Sequence, residues 1–177
     1  MTLILKGVAV SKGIAIGKSH IFKKGQPNVE EEFVKKSLVE KEKNRFNEAV
    51  KETLNQFEFI KNNVNASIQK NAAMFLDTHI YLVKDQTFLK NIRKNIKNKN
   101  FSAEWAVYYE FQKIKKSFEN IEDPYIKQRI EDVNHIVLKI LENLNDKKIK
   151  PVKTLKVFKK SIIVSSDLTP TDVLIMH

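Results

Sequence analysis

The segment Asp77-Thr78-His79-Ile80-Tyr81-Leu82-Val83-Lys84-Asp85 sets a histidine between two carboxylates, the residue types of general acid–base chemistry. The spacing argues against that use. Asp77 lies two residues before His79 and Asp85 six after it, so on a helix neither shares its face at i±3 or i±4. With no orienting partner in view, His79 reads as an ordinary partly buried histidine. A second charged group is Arg129, at the end of Asp123-Pro124-Tyr125-Ile126-Lys127-Gln128-Arg129, with Asp132 three residues on. On an exposed helix this is an ion pair worth roughly a few tenths of a kcal/mol. A guanidinium also matches the oxygens of a phosphate group.

The third candidate is Ser165-Ser166-Asp167-Leu168-Thr169-Pro170-Thr171-Asp172, which follows the apolar run Ile162-Ile163-Val164. That run reads as a buried strand, and a strand leaving through such residues often delivers chemistry at its carboxyl end. The five residues that follow carry no glycine-rich turn, no cysteine and no base–nucleophile pair. Gly7, Gly13 and Gly17 lack the register and the lysine–serine signature of a phosphate loop and read as turn residues. His20 and His135 show no catalytic partner and read as structural.

Elements must position these groups, and composition bounds which. The chain has 177 residues, 42% of them hydrophobic, with four glycines and four prolines, enough for a buried core in one or two small units. It has no cysteine, which excludes disulfides and thiolate metal sites. No apolar run approaches the ~18 residues of a membrane span, and the opening Met1-Thr2-Leu3-Ile4-Leu5 lacks the basic flank of a secretion signal. The net charge of +11 raises a nucleic-acid reading. Lysine far outnumbers arginine, however, and the excess is spread along the chain, which fits a general basic drift better.

Residues 3–10 and 14–22 cluster β-branched side chains around glycines and read as two short strands joined at Ser11-Lys12-Gly13. From Val29 the pattern reads as helical for over a hundred residues. Phe46, Val50, Phe57, Ile60, Val64 and Ile68 form one stripe. Further helices are expected from Ala72 to Lys84 and from Gln86 to about Lys97, the latter capped by Asp85. Another follows Ser102, carrying Trp105, Tyr108, Tyr109, Phe111, Ile114 and Phe118. The last long helix starts at Asp123-Pro124, with the stripe Ile126, Ile130, Val133, Val137, Ile140 and Leu144. That stripe is the seam of an antiparallel bundle. The expected fold class is α+β, mostly α, with the bundle inserted into a small, incomplete strand unit. The expected divisions are 1–26 (strands), 27–147 (helical subdomain) and 148–177 (lysine-rich linker and returning strand).

Four segments, LKGVAVSKGIAIGKSHIF, FLDTHIYLVKD, IEDPYIKQRIEDV and SDLTPTD, occur here in an order that resembles the N-terminal domain of Enzyme I, the phosphoenolpyruvate-protein phosphotransferase of the bacterial sugar phosphotransferase system. The resemblance covers the whole chain. It implies that the helical subdomain docks HPr, the small histidine phosphocarrier protein, through His79, Tyr81, Leu82, Asp85 and Phe88. It further implies that Arg129 faces the carrier near the transferred phosphoryl group, with Asp132 positioning it. Phosphoenolpyruvate and Mg2+ would belong to a separate C-terminal barrel, leaving this chain no cofactor and no catalytic residue of its own. The family's acceptor histidine follows a Gly-Gly-x-[Thr/Ser]-Ser pattern that none of these residues match, so His177 is not the acceptor and the chain is expected to stop short of it. A cytoplasmic monomer, inactive alone, completes the expectation.

The chain departs from the family around Asp85. Acidic residues common there are replaced by Lys84, Gln86 and Thr87, followed by Lys90, Arg93, Lys94 and Lys97. A lysine-rich face repels a basic carrier and lowers its on-rate. Two other readings therefore stand beside docking: a binding module or decayed remnant without chemistry, and a basic nucleic-acid-binding helical protein.

Overall fold

The computed structural model describes residues 7–8, 10–22, 29–63, 69–145, 161–165 and 168–176. Five helices form the body: α1 (Val39–Asn63), α2 (Gln69–Val83), α3 (Gln86–Lys99), α4 (Ala103–Ser117) and α5 (Pro124–Leu144). Strand β1 (Lys18–Ile21) precedes them, and β2 (Ser161–Val164) with the short α6 (Pro170–Met176) follows. The fold is mostly helical with a small parallel sheet.

Helix α1 is the central post. Its buried face of Phe46, Ala49, Val50, Thr53, Phe57 and Ile60 repeats at three and four residues, and it packs against α2, α3, α4 and α5. The expected stripe holds for its first four members; Val64 and Ile68 lie outside the described residues. On α5, Val137, Ile140 and Leu144 are buried as the stripe demands, joined by Ile136 and Leu141. Ile126, Ile130 and Val133 are half-buried, so the first turns of α5 run at the surface.

Each boundary has a local cause. Asp85 caps α3 by accepting from Phe88 N at 2.6 Å, and Ser102 caps α4 by accepting from Trp105 N at 3.2 Å. Asp123 caps α5 through Tyr125 N at 2.7 Å, with Pro124 at the first helical position. Asn100 closes α3 at φ 55°, the left-handed conformation that asparagine tolerates. A polar lock binds α1 to α4 and α5. Buried Glu42 accepts from Arg45 Nη1 and from Ala103 N, and Arg45 also donates to Glu104 and to the Leu144 carbonyl. Burial opposes the Arg45 charge, but its bonds to Glu42 and Glu104 outweigh that and raise its pKa.

The helical pattern does not begin at Val29. Residues 29–35 contain no helix; Val34 N donates to Asn100 O and Ser102 N to Glu32 O, so the α3–α4 corner takes up backbone bonds that a helix would use internally. Phe33 pairs with Phe101 there as an isolated antiparallel bridge, and α1 starts only after a single tight turn at Lys36–Leu38.

Strands β1 and β2 run parallel, with Lys18 opposite Ser161 and Ile21 opposite Val164. The second expected strand thus contracts to Lys18–Ile21. Of the first, residues 7, 8 and 10 are not strand, and residues 3–6 and 9 lie outside the described residues, as does the linker at 146–160. Nor is β2 a buried strand: Ile162 is 37% and Val164 47% exposed, and Ile21 is 66% exposed. Two strands alone, among the described residues, cannot cover their own faces. Beyond β2, Thr169 N and Oγ1 both donate to Asp172 Oδ2, and Asp172 N returns to Thr169 Oγ1. The Thr-Pro-Thr-Asp run is a capping box that starts α6.

Candidate functional site

The candidate residues lie on the second half of α2, the start of α3 and the first half of α5, and α2 packs against α5. They divide into an exposed set and a buried set. Tyr81 is 76% exposed, Asp85 is exposed at the α2–α3 corner, and Leu82 is half-buried at the edge of the core. Leu76, Ile80 and Val83 carry the buried stripe of α2, so Leu82 lies off it, as a docking anchor must. Phe88 is only 8% exposed and belongs to the core, where the first turn of α3 folds it inward. His79 is 1% exposed. Neither offers a partner much surface.

Arg129 is the most deliberately held of the exposed groups. Its Nε and Nη2 donate to Tyr125 Oη at 3.2 and 3.0 Å, and Nη1 donates to Asp132 Oδ2 at 3.2 Å. The guanidinium also lies over the Tyr125 ring, 5.0 Å from its centroid. The bonds to Tyr125 first, and to Asp132 after them, raise its pKa. One i, i+4 partner and one i, i+3 partner thus orient a side chain that stays 45% exposed and keeps further N–H donors.

Beneath Arg129 lies the buried set. Asp132 is 6% exposed, and a carboxylate oxygen of Asp132 and ring nitrogens of His79 and His135 all lie within 4.8 Å of one another. The two imidazoles lie nearly parallel, with centroids 6.3 Å apart. His79 Nδ1 donates to the Phe75 carbonyl at 3.0 Å, one helical turn back. A carbonyl can only accept, so the neutral ring carries its proton on Nδ1 and presents a lone pair at Nε2. That Nε2 is buried without a partner, and so is His135 Nδ1. Burial lowers the His79 pKa; the Phe75 bond and Asp132 oppose it, while His135 and Arg129 add to it. His79 therefore does have an orienting partner, and His135 is no isolated histidine. The first lies within α2, at i−4; the second crosses from α2 to α5, where sequence spacing has no reach.

The basic face of α3 is thinner than its composition. Arg93 folds back, donating to Asn47 Oδ1 at 3.0 Å and lying over the Phe46 ring. Lys84 reaches Glu58 at 3.6 Å. Lys90, Lys94 and Lys97 remain exposed.

Residues 6–129 match the family model for the N-terminal part of phosphoenolpyruvate-utilising enzymes. The phosphoenolpyruvate-protein phosphotransferase of Cupriavidus necator is 25% identical over 98% of the chain, and that of Streptococcus equinus 28% identical over 97%. The chain spans 31% and 29% of those two proteins. A solution NMR structure described as Enzyme I (nEIt) superposes with a TM-score of 0.79 at 28% identity, over 98% of this chain and 69% of that one. A structure described as the N-terminal domain of Enzyme 1 - Nitrogen shares the fold, with a TM-score of 0.66 at 22% identity over 89% of this chain and 63% of that one.

Proposed function

The chain belongs to the N-terminal family of phosphoenolpyruvate-utilising enzymes, as an N-terminal domain of the Enzyme I type, and from that premise we propose that its α2–α3–α5 face docks HPr for phosphoryl transfer in sugar uptake. The observation that carries the proposal is Arg129: an exposed guanidinium pre-oriented by Tyr125 and Asp132 on α5, the helix that packs against α2, which bears exposed Tyr81 and half-buried Leu82. A transient protein site needs few anchors and a polar rim, and pre-orientation lowers the entropy cost of binding. Phosphoryl transfer needs in-line positioning and neutralised charge, and a fixed guanidinium supplies the second.

Tyr81 and Leu82 are the contact anchors. Asp85 sets the α2–α3 corner, Asp132 positions Arg129, and Phe88 and His79 support the surface from below. Exposed Lys90, Lys94 and Lys97 select a carrier that is not strongly basic on the facing side. None of the four histidines follows a Gly-Gly-x-[Thr/Ser]-Ser pattern, so this chain docks the carrier without holding the phosphoryl group. Magnesium takes a cage of oxygen ligands, whereas His79, Asp132 and His135 offer two nitrogens and one carboxylate, a poor fit. The resemblance to Enzyme I assigns phosphoenolpyruvate and magnesium to a separate barrel, and in this reading the domain acts in the cytoplasm as a monomer.

Calorimetric titration with HPr tests this reading. The expected result is saturable 1:1 binding, weakened about tenfold or more by Arg129→Ala; an absence of binding at millimolar HPr overturns it. Radiolabelled phosphoenolpyruvate with magnesium should leave the chain unlabelled, and label on it would equally contradict the assignment.

A further inference from the structure

We propose that His79, Asp132 and His135 form a binding site for one divalent first-row transition cation of the zinc or cobalt type, set between α2 and α5. Four observations carry it. Ligand atoms of all three side chains already lie within 4.8 Å of one another. On the two histidines, His79 Nε2 and His135 Nδ1 are buried nitrogens without a hydrogen-bond partner, and such orphans are rare unless something else fills the coordination. The Nδ1–H of His79 donates to the Phe75 carbonyl, the outer-shell arrangement that fixes a histidine in its metal-ready tautomer. Asp132 and His135 stand at i, i+3 on α5, facing a ligand from the neighbouring helix, the way bundle cores build carboxylate–histidine metal sites.

The donor set selects the ion. Imidazole nitrogens suit zinc, cobalt, nickel and copper, whereas calcium and magnesium want oxygens. Three protein ligands leave a fourth tetrahedral position for water. Ligand atoms about 2.0–2.1 Å from such an ion stand about 3.3 Å apart, so the cluster must contract by at most about 1.5 Å. His135 is half-buried and the buried Asp132 is tied to exposed Arg129, so these two α5 side chains are the ones that would move. His79 is buried and held by Phe75, so it is the fixed point. The inference does not rest on HPr docking, although the two share Asp132, which also bonds Arg129.

Cobalt is the probe. The chelator-treated full chain at neutral pH is titrated with Co2+ and followed by visible absorption, and then with Zn2+ followed by imidazole 15N shifts. The expected result is one Co2+ per chain with a four-coordinate spectrum, displaced by Zn2+, and shifts at His79 Nε2 and His135 Nδ1. Affinity should fall at least tenfold in His135→Ala and in Asp132→Asn, and stay unchanged in His20→Ala. Absence of 1:1 binding, or binding with shifts confined to His20 or His177, overturns the proposal. The wild-type imidazole shifts decide the matter even if a variant fails to fold.

Discussion

Arg129 Nη1 donates to Asp132 Oδ2 at 3.2 Å, joining an exposed cation to a carboxylate that is itself almost wholly buried. The pair is therefore more than a surface i, i+3 bridge. Asp132 gains a charged donor at the mouth of a buried polar cluster, and Arg129 gains a fixed bearing that its four-bond side chain would not otherwise keep.

Arg129→Lys keeps the charge but loses the fork that holds both Tyr125 and Asp132. The change should shift the urea midpoint little, with a stability loss of about 0.5 kcal/mol or less. HPr affinity should drop several-fold. Equal affinity for the lysine variant would show that charge alone suffices and that orientation by Tyr125 is idle.

Phe88 distinguishes a core residue from an anchor. At 8% exposure within the α3 core face, Phe88→Ala should cost about 3–5 kcal/mol in chemical denaturation. A loss below about 1 kcal/mol would mean that the ring spends its time outside the core.

Asp85 has a structural task besides any docking role, because its carboxylate caps α3. Asp85→Ala should lower stability by about 1 kcal/mol, while Asp85→Ser should restore most of that by capping without charge. If docking survives in the serine variant, the contribution of Asp85 is the cap; if docking is lost while stability is kept, the carboxylate meets the partner.

His79 makes stability depend on pH. Burial lowers its pKa in the folded chain below the ordinary histidine value of about 6.5, so between the two values the unfolded chain binds more protons than the folded one. The contribution is fully present above about pH 6.5 and declines as pH falls, levelling off below the folded pKa. In chelator-treated protein, NMR titration of the His79 ring should give a midpoint below 6.5, and the urea midpoint should fall between pH 7 and pH 5. A ring that titrates above 6.5 contradicts this.

The helices were legible because period and punctuation agreed. Asp85, Ser102 and Asp123-Pro124 all start helices where their chemistry demands it, and the described part of the α1 stripe and the second half of the α5 stripe point inward. Residues 29–35 were misread because their apolar spacing is compatible with a helix, while the bonds that keep them extended go to Asn100 and Ser102, some 70 residues away. The expected burial of Ile162–Val164 failed for a similar reason: apolar composition states a preference for cover without showing that cover exists. Of the candidate site, the Arg129–Asp132 pair followed from spacing, and the Tyr125 grip was available at i, i+4. The His79–Asp132–His135 cluster was not, since it depends on which faces of α2 and α5 meet. Helical periodicity says which side of a helix is buried, and only packing says against what.

The most direct test of the docking account is an NMR titration of the isotope-labelled chain with HPr from the same cell, repeated with a Leu82→Ala, Arg129→Ala double variant. The account predicts saturable shifts concentrated at Tyr81, Leu82, Asp85 and Arg129, and their loss in the variant. Shifts that are absent at millimolar HPr, or that map to the opposite side of the bundle, would contradict it.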